Sequence, residues 1–218
     1  MKENIDVISL NKKAWNNAAK KYEQAKYGKI NALAELFCEK LPENAFILDL
    51  GSGTGLPFAK YFVDKGFKVL GIDISPQMVK ISQENVPKAE FRELSMTDLD
   101  FVNEFDGVFS NYSMLLLNPQ LFKDVGKRIV KSLKNNGLFY LALNEPREEG
   151  GNLDDDDVIV NILGEKMYSR AYTEEEIITI FTSLGLNLLK IHREIISSKE
   201  FGIEHCIRFL FKKKLINK

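Results

Sequence analysis

The chain has 218 residues, 44% of them hydrophobic and 28% charged, with a formal net charge of −1. These values suit one globular domain with a sizeable core. The near-zero charge excludes an overall field that would gather nucleic acid or anionic lipid. The basic cluster Lys212, Lys213, Lys214 and Lys218 reads as a solvated end. Cys38 and Cys206 are far apart, without metal-type spacing, and read as reduced structural residues. No run approaches the roughly 18 apolar residues of a membrane helix, and MKENIDVISLNKKAW lacks the apolar stretch of a signal peptide. A cytoplasmic protein with no nucleic-acid or membrane partner is expected.

In chain order, residues Leu10 to Lys40 read as helical, broken near Tyr27-Gly28, and as a possible lid. Ala45 to Leu50 reads as a buried strand. Pro57 to Lys65 reads as a helix, with Phe58, Tyr61 and Phe62 on one face and Gly66 ending it. Lys68 to Ile74 is a second strand. Ser75-Pro76 opens a helix as N-cap and first-turn proline, with Met78, Val79 and Ile81 as its buried stripe. Ala89 to Ser95 is a third strand, Phe105 to Ser113 contains a fourth, and Leu121 to Leu133 is helical. Lys134 to Gly137 reads as a turn and Leu138 to Asn144 as the fifth strand. Thr173, with Glu176 three residues on, marks a capping box for a helix closed by Gly185. LNLLKIHREII and EHCIRFLFKK then read as an antiparallel pair. Alternating strands and helices predict a mainly parallel sheet with helices on both faces.

The chemistry-bearing stretch is DLGSGTG, residues 49–55. Its glycines follow the first strand where a helix begins, the edge at which open α/β sheets bind ligands. Gly51, Gly53 and Gly55 are spaced G-x-G-x-G, which departs from the dinucleotide fingerprint G-x-G-x-x-G, and the chain has neither a Walker G-K-[ST] nor a G-x-S-x-G elbow. Asp73 ends the second strand, where a carboxylate accepts from vicinal ribose hydroxyls. Asp98, after the third strand, is a candidate acceptor for an exocyclic amine. Ile74, Met78 and Met96 are candidate apolar surfaces for a flat ring, with core packing an equal reading for each.

With these residues in order, the chain resembles class I S-adenosylmethionine-dependent methyltransferases. FDGVFSNYSMLLL, LKNNGLFYLAL and the final antiparallel pair fit that family's order of elements, from about Ala45 to Lys214. SPQMV and YTEEEI are similar to its small-molecule members, the ubiquinone/menaquinone-type group. The resemblance implies a Rossmann-like α/β fold: a seven-stranded, mainly parallel sheet with an antiparallel last strand and an N-terminal helical lid. It implies one methyltransferase domain over 1–218, with residues 1–43 as lid and 44–214 as core. It implies S-adenosyl-L-methionine as cofactor and a small-molecule methyl acceptor as partner. Gly51, Gly53 and Gly55, with Asp49 and Ser52, would surround the methionine portion. Asp73 would hold the ribose and Ile74 pack on adenine. Asp98, beside Met96 or Thr97, would meet the adenine amine, and Asn111 would face the methionyl group or the acceptor.

No single base stands out. Tyr112, Tyr22, Tyr27 and His192 are weak catalytic candidates, each with packing or a structural role as the competing reading; His192 and His205 fall in the late strands, where a structural or surface role is favoured over their facing each other. Trp15 reads as a lid anchor or a pocket residue. Asn152 to Asp157, with four adjacent carboxylates, reads as a solvated loop rather than a cation site. Tyr168 and Arg170 are expected to reach the acceptor region. Two alternatives stay open: a non-catalytic protein that binds S-adenosylmethionine or S-adenosylhomocysteine, and an NAD-linked Rossmann enzyme, which the glycine spacing disfavours.

Overall fold

The computed structural model describes residues 6–25, 28–146, 159–198 and 202–215. Two helices lead: α1 (Val7–Ala25) and α2 (Ala32–Lys40). Residues 28–31, ahead of α2, are not helical, in line with the expected break. Helix α2 starts cleanly because the Asn31 side chain accepts from the backbone N–H groups of Leu33 and Ala34.

The alternation continues with β1 (Phe46–Leu50), α3 (Phe58–Asp64), β2 (Lys68–Asp73), α4 (Pro76–Asn85), β3 (Glu90–Glu93), β4 (Phe105–Asn111), α5 (Pro119–Ser132) and β5 (Leu133–Asn144). Next come β6 (Ile159–Ile162), β7 (Glu165–Tyr168), α6 (Glu174–Ser183), β8 (Leu186–Ser198) and β9 (Gly202–Lys213). The main sheet has seven strands in the order β3-β2-β1-β4-β5-β9-β8. Strands β3, β2, β1, β4 and β5 pair parallel, and β9 runs antiparallel between β5 and β8. This is the expected Rossmann-like sheet.

Both faces of the sheet are covered. Adjacent residues of β1, Ile47 and Leu48, point into different hydrophobic clusters, as do Phe109 and Val108 of β4. That arrangement explains why these strands read as continuous apolar runs. Local signals set the helix ends. Ser75 accepts from the Met78 N–H and precedes Pro76. Thr173 and Glu176 form the capping box.

Three expectations change, and one open alternative closes. Helix α5 begins at Pro119, two residues before Leu121, because Asn118 caps it by accepting from the Leu121 N–H. Lys134 to Gly137 is an excursion within β5, which begins at Leu133: the step from Phe105 to Gly107 in β4 faces the longer step from Leu133 to Leu138. Asn136, at φ +63°, lets the chain fold back there. Lys213 is buried, with Nζ donating to the Val130 and Leu133 carbonyls at 2.7 and 2.5 Å, so it closes the end of α5 instead of lying in solvent; burial pulls its pKa down. His205 pairs in register with Ile195, whereas His192 pairs with Arg208, so the two histidines do not face each other.

The hairpin of β6 and β7 is an added element, packed on α1. Tyr27, Lys218 and the acidic stretch Asn152 to Asp157 lie outside the described residues. Among the described residues, no helix is long and apolar enough to cross a membrane.

Candidate active site

A cavity of about 850 Å³ opens at the carboxyl ends of the parallel strands. It lies beside the point where the strand order reverses, between β1 and β4, the usual binding crevice of open α/β sheets. Helix α1 roofs it with Trp15 and Tyr22, whose rings meet edge to face at 5.5 Å.

The glycine loop forms one wall. The Gly51 and Ser52 N–H groups donate to the Ile72 carbonyl at 2.8 and 2.9 Å, bending the chain as it leaves β1. The three glycines serve different ends. A Cβ on Gly51 would lie 2.4 Å from Ser113 Cβ, and one on Gly55 within 3.1–3.3 Å of Val86, Phe91 and Ser82. Both therefore answer to packing inside the protein. A Cβ on Gly53 would meet only Tyr22 Cε1, at 3.7 Å beneath α1, so this glycine leaves its space to the cavity. All three have positive φ, at +68°, +53° and +76°.

Asp73 stands beside the loop. Its Oδ2 accepts from the Gly53 N–H at 3.0 Å and its Oδ1 from the Ser75 N–H at 2.9 Å. Each oxygen keeps acceptor capacity toward the cavity. Burial pushes its pKa up to about 6, against the backbone hydrogen bonds that lower it. Asp49, 4% exposed, sits beneath the loop outside the lining. Burial, and then the charge of Asp73, push it up to about 7.

Gly51, Gly53, Asp73, Ile74, Met78, Met96, Asn111, Tyr112, Tyr22 and His192 all line the cavity. Ser52 and Gly55 do not, nor do Thr97 and Asp98. Asp98 is exposed in the short 3-10 turn Met96–Asp98, and Ser95, with Leu94 and Met96, occupies the cavity wall at that place. The side-chain Oδ1 of Asn111 is buried and has no hydrogen-bond partner among the described residues, which leaves an acceptor for a ligand N–H. Burial raises the Tyr112 phenol well above its ordinary pKa, so it keeps its proton. Arg170 does not reach the cavity lining; it pairs with Glu176 at 2.8 Å and stacks over Tyr172, and Ser169 lines the cavity in its place. Tyr168 is fully buried, outside the lining.

The far end of the cavity holds residues the sequence reading passed over: Asn31, Asn144, Glu194, Glu204 and Arg208. The available signal was Arg208 itself, a lone charge inside the apolar run CIRFLF.

Residues 47–137 match the family model of a methyltransferase domain. The fold is that of S-adenosylmethionine-dependent methyltransferases. The methyltransferase from Methanosarcina mazei superposes with a TM-score of 0.75 at 18% identity, over 87% of this chain and 100% of that one. The methyltransferase fold also matches the 1,6-didemethyltoxoflavin-N1-methyltransferase of Burkholderia thailandensis, solved with 1,6-didemethyltoxoflavin and S-adenosylhomocysteine, with a TM-score of 0.69, 17% identity and coverage of 95% and 88%. In sequence, the 2-methyl-6-phytyl-1,4-hydroquinone methyltransferase of Synechocystis is 28% identical over 127 residues, 57% of this chain and 40% of that protein. The chain spans 28% to 45% of the length of the first curated relatives it matches. The matched methyltransferase-domain stretch, residues 47–137, runs from β1 to the start of β5 and carries the glycine loop and Asp73, and the sheet as a whole has the methyltransferase fold.

Proposed function

We propose that the protein transfers a methyl group from S-adenosylmethionine to a small-molecule acceptor, as the ubiquinone/menaquinone-type group does. The observation that carries this reading is one cavity that contains the Asp73 carboxylate, the open space over Gly53 and the unpartnered Asn111 Oδ1, and that continues past them to a second polar end. Asp73 would accept from the ribose hydroxyls, Ile74 and Met96 would face the adenine, Gly53 would leave room for the chain beyond the ribose, and Asn111 would accept from the amino group. In this reading Ser95 takes the position first considered for Asp98, with Thr97 and Asp98 outside it. The cofactor, when bound, supplies an electrophilic methyl on a good leaving group. The protein's task is then to orient the acceptor and exclude water, which contributes roughly 7–11 kcal/mol in well-aligned cases. Tyr112, which lines the cavity and whose hydroxyl accepts from Arg208 Nη2 at 3.3 Å, would position the acceptor by donating its own hydroxyl hydrogen.

The named acceptors of two similar proteins, a hydroquinone and 1,6-didemethyltoxoflavin, are small molecules and support that acceptor class here. We place the whole chain in one methyltransferase unit, with residues 1–43 as lid and 44–214 as core.

Calorimetry with S-adenosylmethionine, S-adenosylhomocysteine and NAD tests the reading. The sulfonium cofactor and its product should bind and NAD should not; NAD binding alone overturns it. Asp73→Ala should weaken product binding by about 1.5–3 kcal/mol, the range for hydrogen bonds to charged groups. Binding without turnover across a broad acceptor panel would assign the protein to the sensor class.

A further inference from the structure

The cavity end away from Asp73 has a cation at its floor, and this bears on the acceptor; the inference rests on the methyl-transfer reading above. Arg208 in β9 is 3% exposed and lines the cavity. One of its terminal nitrogens, Nη1, lies 3.0 Å from Glu194 Oε2 and 3.3 Å from His192 Nδ1. A guanidinium only donates, so Nδ1 accepts and the imidazole proton sits on Nε2. The other terminal nitrogen, Nη2, donates to the Tyr112 hydroxyl at 3.3 Å. The remaining donor nitrogen, Nε, is buried and makes no well-aligned hydrogen bond among the described residues, with the Tyr140 hydroxyl, which accepts from Asn31 Nδ2 at 3.0 Å, beside the guanidinium. A buried N–H left unpaired is unfavourable and marks a place for a ligand oxygen.

The charge balance points the same way. The negative partner of this buried guanidinium is Glu194, whose side chain is 47% exposed on the outermost strand. A half-exposed carboxylate is readily rehydrated, and an incoming ligand carboxylate would keep the buried guanidinium paired in its place. Glu204 also lines the cavity and accepts from Asn144 Nδ2 at 3.2 Å, but it too is only half-buried. The most desolvated charge at this end is therefore positive, and its field is the least screened.

We propose that Arg208 is a specificity-determining residue that seats a carboxylate of the methyl acceptor, with Glu194 holding that place in the ligand-free chain. The planar guanidinium matches a carboxylate in shape, and the ligand's two oxygens would meet the Nε side of the fork and the terminal nitrogen released by Glu194. Tyr112 and His192 flank the group, and their hydrogen bonds to Arg208 hold the guanidinium in position.

The test is calorimetric titration of the full chain with 4-hydroxybenzoate, 4-hydroxybenzamide and benzylamine, each with and without saturating S-adenosylhomocysteine. The acid should bind about tenfold or more tighter than the amide, the scale of a charge-assisted pair. Arg208→Gln should abolish that preference while S-adenosylhomocysteine still binds. Glu194→Gln should tighten the acid about three- to tenfold, because it removes an internal competitor. A merely structural ion pair gives no such gain, and this variant decides the matter if Arg208→Gln does not fold. Equal binding of acid and amide, no binding of the acid, tighter binding of benzylamine, or a Glu194→Gln variant that binds the acid no better each overturns the proposal. If S-adenosylhomocysteine fails to bind the wild-type chain, the methyl-transfer reading falls. The titrations without it still judge Arg208 on its own.

Discussion

Replacing Gly51 and Gly53 by alanine, one at a time, should separate folding from ligand binding within a single loop. At Gly53 the backbone sits at φ +53°, and the new methyl would touch only Tyr22 Cε1, at an ordinary 3.7 Å. The penalty is then the left-handed backbone, about 1–2 kcal/mol. For a chain of this size that lowers the melting temperature by roughly 2–8 °C. At Gly51 the same backbone term applies, and the methyl would also lie 2.4 Å from Ser113 Cβ. Ser113 is not free to move aside, because its hydroxyl bonds the Leu50 carbonyl at 2.5 Å and Ser110 Oγ at 2.9 Å. Overpacking adds about 1–3 kcal/mol. The sum of roughly 2–5 kcal/mol corresponds to a fall of roughly 4–20 °C. Thermal unfolding measures the first quantity and calorimetry with S-adenosylhomocysteine the second. Gly53→Ala should lose affinity by about tenfold or more, equivalent to about 1.4 kcal/mol, in a protein that remains folded, whereas Gly51→Ala should show the larger loss of stability. Unchanged affinity in Gly53→Ala, or equal melting of the two variants, would refute the division of roles.

Other outcomes follow from buried groups. Asp49 is pushed up to about 7 by burial, so the folded chain holds its proton more tightly than the unfolded chain does. Its contribution to stability is complete at acid pH below its ordinary value and is lost as pH rises toward 7. Asp49→Asn should therefore raise stability relative to wild type at pH 8, on the order of 2–4 kcal/mol, and leave it near wild type at pH 4; urea unfolding at the two pH values checks this, and a gain confined to acid pH contradicts it. Asn11→Ala removes the side-chain bonds to the Leu116 and Tyr168 carbonyls, at 3.0 and 3.1 Å, and from the Tyr168 N–H at 2.8 Å. It should lower stability by roughly 2–4 kcal/mol and raise amide exchange along α1 first. Thr173→Ala removes the cap of α6 and should cost about 1 kcal/mol in urea unfolding; no change would mean that the end of α6 is held by packing alone.

The main sheet was legible in the sequence because strands covered on both faces show as unbroken apolar runs, with Gly66 and Gly185 at the turns between them. The Asp73 end of the cavity has residue types that its backbone geometry demands, glycine at positive φ at 51 and 53 and a carboxylate that accepts from the Gly53 N–H at 73, and such residues stand out in a sequence. The β6–β7 hairpin was not, because its two-residue turn is Leu163-Gly164, with Leu163 at φ +54° where Asn or Asp is the usual signal. Asp98 drew attention as a carboxylate in a loop. The cavity wall at that place is decided by where the backbone leaves β3, which brings Ser95 inward, and composition carries no trace of that. The Arg208 end depends on pairing between strands distant in the chain from β4 and β5, such as the register of Ala142 against Arg208. No local period reports such a register.

The placement of β9 between β5 and β8 divides the cavity between two distant parts of the chain. One end is built from turns after β1, β2 and β3, in the first half of the chain; Arg208, His192, Glu194 and Glu204 all come from the last hairpin. Substitutions confined to that hairpin can remodel the polar chamber while the glycine loop and Asp73 keep their geometry. The two ends of the cavity are in this sense separable along the chain, one supplied by its first half and the other by the C-terminal hairpin.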